Sequence, residues 1–239
     1  LFRSSDQISV LELPYLIEDV TNFEDADAVY NSDILQPIYD DLADAGFLWL
    51  GSWYQGNRHL TTTKTPVHTP ADMKGLKIRT MESQYHMAHF NALGANAIPL
   101  AFSEVFTALQ QGAIDGQENP YCNIYTQAIY EVQGYIIETA HIFDIIPVLV
   151  SKAAYDKLPE EYQQLLSEEI ANMTMEQWQM AMDDDNACKD KIIETGKCEI
   201  IELTTEERQA FRDAAQPVYD DYTAEHGSEL LDAILAAQE

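Results

Sequence analysis

The sequence predicts an α/β fold built around a mainly parallel sheet. Two observations carry this. Strand-length apolar runs alternate with helix-period segments from about residue 47 to residue 130. A helical pattern then runs from about Glu160 to Thr195 with no Pro or Gly inside it. A helix that long exceeds one small domain and is suited to bracing two bodies. With 239 residues, 46% of them apolar, the chain can bury a sizeable core as one large domain or two small ones.

The elements follow in order. The opening "LFRSSDQISVLELPYL" reads as the inside of a domain and not as a natural start. "DADAVYNSDILQPIYDDLADAG" reads as one helix stopped by Gly46, and "FLWLGSWY" as a short strand. In "HTPADMKG", Thr69 caps a one-turn helix with Pro70 in its first position and Gly75 after its end. "LKIRT" is a strand, "ESQYHMAHFNALG" a helix closed by Gly94, and "AIPLA" a strand whose proline suits an edge. "SEVFTALQQG" is a helix with Ser103 as its cap and Gly112 beyond it. "AIDGQEN" is a strand and turn, and "PYCNIYTQAIYEV" a helix with Pro120 first. "HIFDIIPVLVSK" is a long strand and "CEIIEL" a final one. Thr204 and Glu207 form a capping box, and "SELLDAILAAQ" is a terminal amphipathic helix.

Composition excludes some functions. Thirteen basic residues against 41 acidic ones, a net charge of −28, argue against nucleic acid, which needs clustered Lys and Arg to neutralise phosphates. They argue equally against an anionic membrane surface. The carboxylates imply a solvated, self-repelling surface or a salty habitat. No run of about eighteen apolar residues is present to span a membrane. The three cysteines have no zinc spacing; Cys188 and Cys198 are close enough in sequence to pair, and the redox compartment stays open.

Enzyme signatures are absent: no GxSxG, HExxH, Walker loop or GxGxxG occurs. Glu82, His86 and His89 fall at i, i+4 and i+7, so on one helix they would share a face. That set suits a metal or, with Glu82 or His86 as a base, an enzyme; plain packing histidines are the blander alternative. Asn119 in "GQENP" suits a helix cap and also suits an amide presented to an anion at a helix N-terminus. Arg58 follows a glycine turn. Arg79 ends an apolar strand, a costly place for a guanidinium. It either awaits a carboxylate ligand, which it would grip through paired hydrogen bonds, or meets one of the protein's own acids.

"DMKGLKIR", "ALGANAIPLAFSEVFTALQQGAIDGQENP" and "YEVQGY" together resemble the solute-binding proteins of tripartite ATP-independent periplasmic (TRAP) transporters, the C4-dicarboxylate-binding family. The likeness runs from "LPYLIED" through "LPEEYQQLL", and the family's opening βαβ segment is absent from it. The resemblance implies a two-lobed, periplasmic-binding-protein-like α/β fold with crossing strands and a long bridging helix. Lobe I would comprise residues 1–56 and 145–184, and lobe II residues 57–144 and 185–239. It implies an extracytoplasmic, monomeric protein, without cofactor or metal, that hands an organic acid to a membrane-embedded permease. On the same grounds Arg79 clamps the ligand carboxylate, Arg58 supports it, Asn119 hydrogen-bonds the same carboxylate, Phe102 packs on the ligand and Glu82 meets its far end. No Lys or Arg follows Arg79 until Lys152, so a second ligand carboxylate beside Glu82 would be repelled while hydroxyls would donate to it. A sugar acid such as a uronate or aldonate is therefore expected, with a C4-dicarboxylate or a keto or hydroxy acid as the alternative.

Overall fold

The computed structural model describes residues 7–21 and 23–238; the opening residues 1–6 lie outside them. Its centre is a six-stranded mixed sheet of order β3-β2-β4-β1-β5-β6. The strands are β1 (Phe47–Thr62), β2 (Lys77–Thr80), β3 (Asn96–Pro99), β4 (Gly116–Asn119), β5 (Tyr135–Ser151) and β6 (Glu199–Ile201). β2 runs parallel to β3 and β4, and β5 runs parallel to β6. The expectation of a mainly parallel sheet is corrected at β1, which pairs antiparallel with both β4 and β5. β1 is also twice the length of its apolar run. Its second half, "QGNRHLTT", is polar by composition but buried, so local hydropathy hid it.

β1 and β5 pair along nearly their whole length, with register shifts at Trp49/Gly51, Tyr54/Gly56 and Arg58/Leu60. Bulges of this kind increase twist and free backbone groups from the ladder. The long helix takes up some of them. The helices are α1 (Glu24–Tyr30), α2 (Gln36–Asp44), α3 (Gln84–Ala92), α4 (Phe102–Gln110), α5 (Tyr121–Thr126), α6 (Lys152–Tyr155), α7 (Glu160–Thr195), α8 (Thr205–Ala214), α9 (Gln216–His226) and α10 (Glu229–Ala236). α7 has the bounds its sequence predicts. At the Tyr54 irregularity its Gln177 amide donates to the Tyr54 carbonyl at 2.9 Å and accepts from the Tyr54 N–H at 2.8 Å, doing the job of a missing strand. Trp178 of α7 is fully buried and donates to the Ser52 carbonyl at 2.6 Å. The helix can approach this closely because residue 51 is glycine: a Cβ there would stand 2.7 Å from Ile170 Cγ2.

Other differences have local causes. The segment 25–46 is not one helix: Ser32 accepts from the Ile34 N–H and nucleates a 3-10 turn over Asp33–Leu35, and Pro37 takes the opening of α2. Ser103 is not a cap, because α4 starts one residue earlier, after Ala101. Pro120 is the cap residue of α5, not its first turn, and α5 stops at Thr126 before Ala128 turns left-handed at φ 53°. The expected Thr204/Glu207 capping box forms, and Thr69 makes a second one with Asp72. The three cysteines are free thiols. No helix among the described residues is long and apolar enough to cross a membrane.

Candidate functional site

Arg79 is the penultimate residue of β2, and Asn119 is the last of the adjacent parallel strand β4, opposite His59 on β1. The topology therefore brings Arg58, Arg79 and Asn119, far apart in sequence, to one end of the sheet. α/β proteins bind ligands beyond the carboxyl ends of parallel strands.

The two arginines have opposite situations. Arg58 is 3% exposed and saturated by the protein. Its Nε and Nη2 hold both carboxylate oxygens of Glu118, its Nη1 donates to Asp144 at 2.6 Å, and its Nη2 also reaches the Glu118 carbonyl at 2.9 Å and Asn119 Oδ1 at 3.1 Å. Burial works against the Arg58 charge, but the Glu118 and Asp144 carboxylates outweigh it and raise its proton affinity. Arg79 is equally buried at 3% exposure, yet it makes no ion pair among the described residues. Its Nε donates to the Leu100 carbonyl at 2.8 Å, and its guanidinium carbon sits 5.5 Å from the centre of the Phe102 ring. Burial lowers its proton affinity first; Glu118 opposes that and Arg58 adds to it. A guanidinium carries five donors, so Arg79 is a desolvated cation with most of its hydrogen bonds still to make.

Asn119 is oriented on both sides. Its amide nitrogen donates to Gln117, and its oxygen accepts from Arg58 and from Asn123 at 3.2 Å. Phe102, the first residue of α4, is 38% exposed. Glu82 lies just before α3, whose cap is Ser83, accepting the His86 N–H at 3.2 Å. Ser is the better cap, so Glu82 is left outside the helix. The expected common face of Glu82, His86 and His89 is corrected accordingly, and no metal-binding cluster occurs among the described residues. A cleft of about 1070 Å³ opens beside this region. Arg58, Glu82, His86 and Asp144 line it; Arg79, Asn119 and Phe102 are not among its lining residues.

Sequence reasoning missed the residue at the hub. Glu118 is wholly buried and touches Arg58, His141 Nε2 at 3.3 Å and His86 Nδ1 at 3.8 Å. Burial alone would raise its carboxyl; the Arg58 charge and the hydrogen bonds from His141 and Arg58 override that and hold it well below the usual carboxylate range. His141 and His89 are shifted down by burial, so they stay neutral. The sequence gives little sign of it: "GQENP" is polar by composition, and only the burial of all of β4 shows that its acid demands a cation.

Asp185 of α7 anchors α5 from the other side, accepting the Cys122 N–H at 2.8 Å. Burial raises its pKa to about 6, although the Cys122 and Tyr121 backbone bonds oppose the shift. The native state therefore holds a proton that the unfolded chain has released between about pH 4 and 6, and stability falls as pH rises through that window and is flat above it. Asp185→Asn keeps an acceptor and lacks the charge. It is expected to be more stable than the parent by roughly 1–3 kcal/mol at pH 7.5 and equal to it near pH 4. Denaturation midpoints of the two proteins across that range measure the difference; a constant difference would contradict the assignment.

Residues 3–226 match the family described as bacterial extracellular solute-binding protein, family 7 (DctP). The chain is 32% identical over 234 residues to the 2,3-diketo-L-gulonate-binding periplasmic protein YiaO of Escherichia coli, covering 96% of this chain and 69% of that protein. A TRAP periplasmic solute-binding protein from Shewanella oneidensis, solved with bound succinate, superposes with a TM-score of 0.90 at 32% identity, over 99% of this chain and 76% of that one. Another, from Chromohalobacter salexigens with bound D-glucuronate, gives 0.86 at 31% identity, over 96% and 74%. The mixed six-stranded α/β sheet agrees with that match over nearly the whole chain, which belongs to the DctP family of TRAP-transporter solute-binding proteins.

Proposed function

We propose that the protein captures an organic acid outside the cytoplasm as a monomer and delivers it to a membrane-embedded TRAP permease. The observation that carries this is Arg79, buried and without an ion-pair partner among the described residues. A carboxylate bound there would satisfy the paired donors of the guanidinium. Asn119 would add an amide, Phe102 an apolar wall, and Arg58, itself neutralised by Glu118 and Asp144, would hold the floor. Glu82 and His86 border the cleft where the far end of the ligand would lie.

The proposed lobes, residues 1–56 with 145–184 and residues 57–144 with 185–239, have boundaries that converge in space. Gly56 pairs with Asp144 across β1 and β5, and a Cβ at Gly56 would stand 3.1 Å from Asp185. Crossing strands and helix meet there, where a hinge would act.

A hydroxylated sugar acid is the proposed ligand. The cleft lining includes Glu12, Glu82, Asp144 and Glu225, with Arg58 as its one arginine or lysine among the described residues. A second ligand carboxylate would meet net negative charge, whereas hydroxyls would donate to these oxygens. The similar proteins named for diketogulonate and solved with glucuronate support this; the one solved with succinate supports the dicarboxylate alternative. Competitive calorimetry decides. Glucuronate or gluconate is expected to bind at least tenfold more tightly than succinate, because sites that hydrogen-bond hydroxyls reject analogues lacking them. Tighter binding of succinate than of every sugar acid tested would overturn the ligand class, and turnover of any of them seen by mass spectrometry would overturn the binding role.

A further inference from the structure

We infer that Cys122 and Cys188 form a disulfide within the folded protein when it meets a thiol oxidant, and that Cys198 stays outside the bond. Cys122 is the second residue of α5 and is partly exposed; Cys188 lies buried on α7. Cys122 is held against α7 by two contacts. Its N–H donates to Asp185 Oδ1 at 2.8 Å, and its Sγ donates to the Asp184 carbonyl at 3.2 Å. Residue 188 is four places after Asp184 and three after Asp185, on the same face of the helix. Within α7 the Asp184 carbonyl also faces the Cys188 amide. Helical side chains lean toward the preceding turn, so the Cys188 thiol leans back toward the place where the Cys122 sulfur rests. The Cys188 thiol lies near enough to help push the Cys122 thiol up, and Cys122, Cys188 and Cys198 all belong to the apolar cluster that joins α5 to α7.

The pairing that sequence spacing suggested, Cys188 with Cys198, is not the one the fold prepares. Gly196, left-handed at φ 62°, turns the chain out of α7, and the Cys198 sulfur faces the neighbouring Glu199 carbonyl at 3.9 Å.

The bond needs a partner to take its electrons. With oxidised glutathione, the Cys122 thiolate attacks the glutathione disulfide and releases one glutathione thiolate. The Cys188 thiolate then attacks the Cys122 sulfur of the mixed disulfide and releases the second. Two protons and two electrons leave the protein, and one glutathione disulfide becomes two glutathiones. Burial, the Cys188 thiol and the nearby Asp185 and Asp184 push the Cys122 thiol up to about 12. Little thiolate is present at neutral pH, so the uncatalysed reaction is slow although the geometry is prepared.

The test uses the full folded chain without ligand, so its outcome is independent of the proposed transport role. The protein is incubated to equilibrium with oxidised glutathione at pH 8.5, remaining thiols are alkylated, and peptides are mapped without reduction. The expected result is one species joining the Cys122 and Cys188 peptides, an alkylated Cys198, and a Tm raised by about 9–17 °C for a loop of this size, all reversed by reductant. Cys198→Ser should keep the link, and Cys122→Ser, a change at a partly exposed site, should abolish it together with the Tm shift. Alkylation of both Cys122 and Cys188, glutathione stranded on Cys122, a Cys188–Cys198 link, or a lowered Tm on linking would each overturn the inference.

Discussion

Arg79→Ala is expected to abolish organic-acid binding in calorimetry. Losing one partner of a buried charged contact costs about 2–5 kcal/mol, or roughly thirtyfold to several thousandfold in affinity. Arg79→Lys should lose most of the same affinity: an ammonium keeps the charge but has no planar fork to match two carboxylate oxygens. What separates a ligand clamp from a structural arginine is stability without ligand. Arg79 bonds the Leu100 carbonyl and lies near the Phe102 ring, and it pairs with no carboxylate among the described residues. The ligand-free alanine variant should therefore melt within a few degrees of the parent. A variant that binds normally, or one that loses binding only because it no longer folds, would contradict the assignment.

The site was half legible in the sequence, and the division has a physical cause. Arg79 stood out because a guanidinium at the end of "LKIR" conflicts with its surroundings, and conflicts mark function. Sequence reasoning left it evenly poised between a ligand and an internal acid. The structure shows the internal acids engaged by the other arginine: Glu118 and Asp144 both bind Arg58. That choice depends on the pairing of β1 with β4 and with β5, whose partner residues lie 54–104 positions apart along the chain, and no local period reports such pairing. α7 was fully legible because its signal is local and 36 residues long. β1 was cut short for the opposite reason: Arg58, His59, Thr61 and Thr62 look like surface residues and are buried by tertiary contacts. Glu82, His86 and His89 show how one capping residue changes a face, since Ser83 begins the helix after Glu82.

Glu118→Gln is expected to be the most destabilising single change at the site, by about 3–5 kcal/mol, because it leaves the buried Arg58 charge without its main partner. For a chain of this size that corresponds to a fall in Tm of roughly 6–20 °C. Glutamine fills the same volume, so lost packing cannot account for the effect. The pH dependence gives a second readout. The Glu118 carboxyl is held well below its usual range, so at acid pH the unfolded chain takes up a proton that the native state refuses. Stability from this group is present above about pH 4.5 and is lost as pH falls below it. Asp185 acts in the opposite sense between about pH 4 and 6, so each variant has to be compared with the parent and not with the other. The gap between parent and Glu118→Gln should narrow as the pH drops under 4. Combining Glu118→Met with Arg58→Met should recover part of the loss, since both buried charges leave together and Asp144, at 17% exposure, keeps access to water. A Glu118→Gln protein within 1 kcal/mol of the parent at pH 7 would mean that Asp144 and the backbone carbonyl of residue 118 suffice to hold Arg58, and that the hub assigned to Glu118 is misplaced.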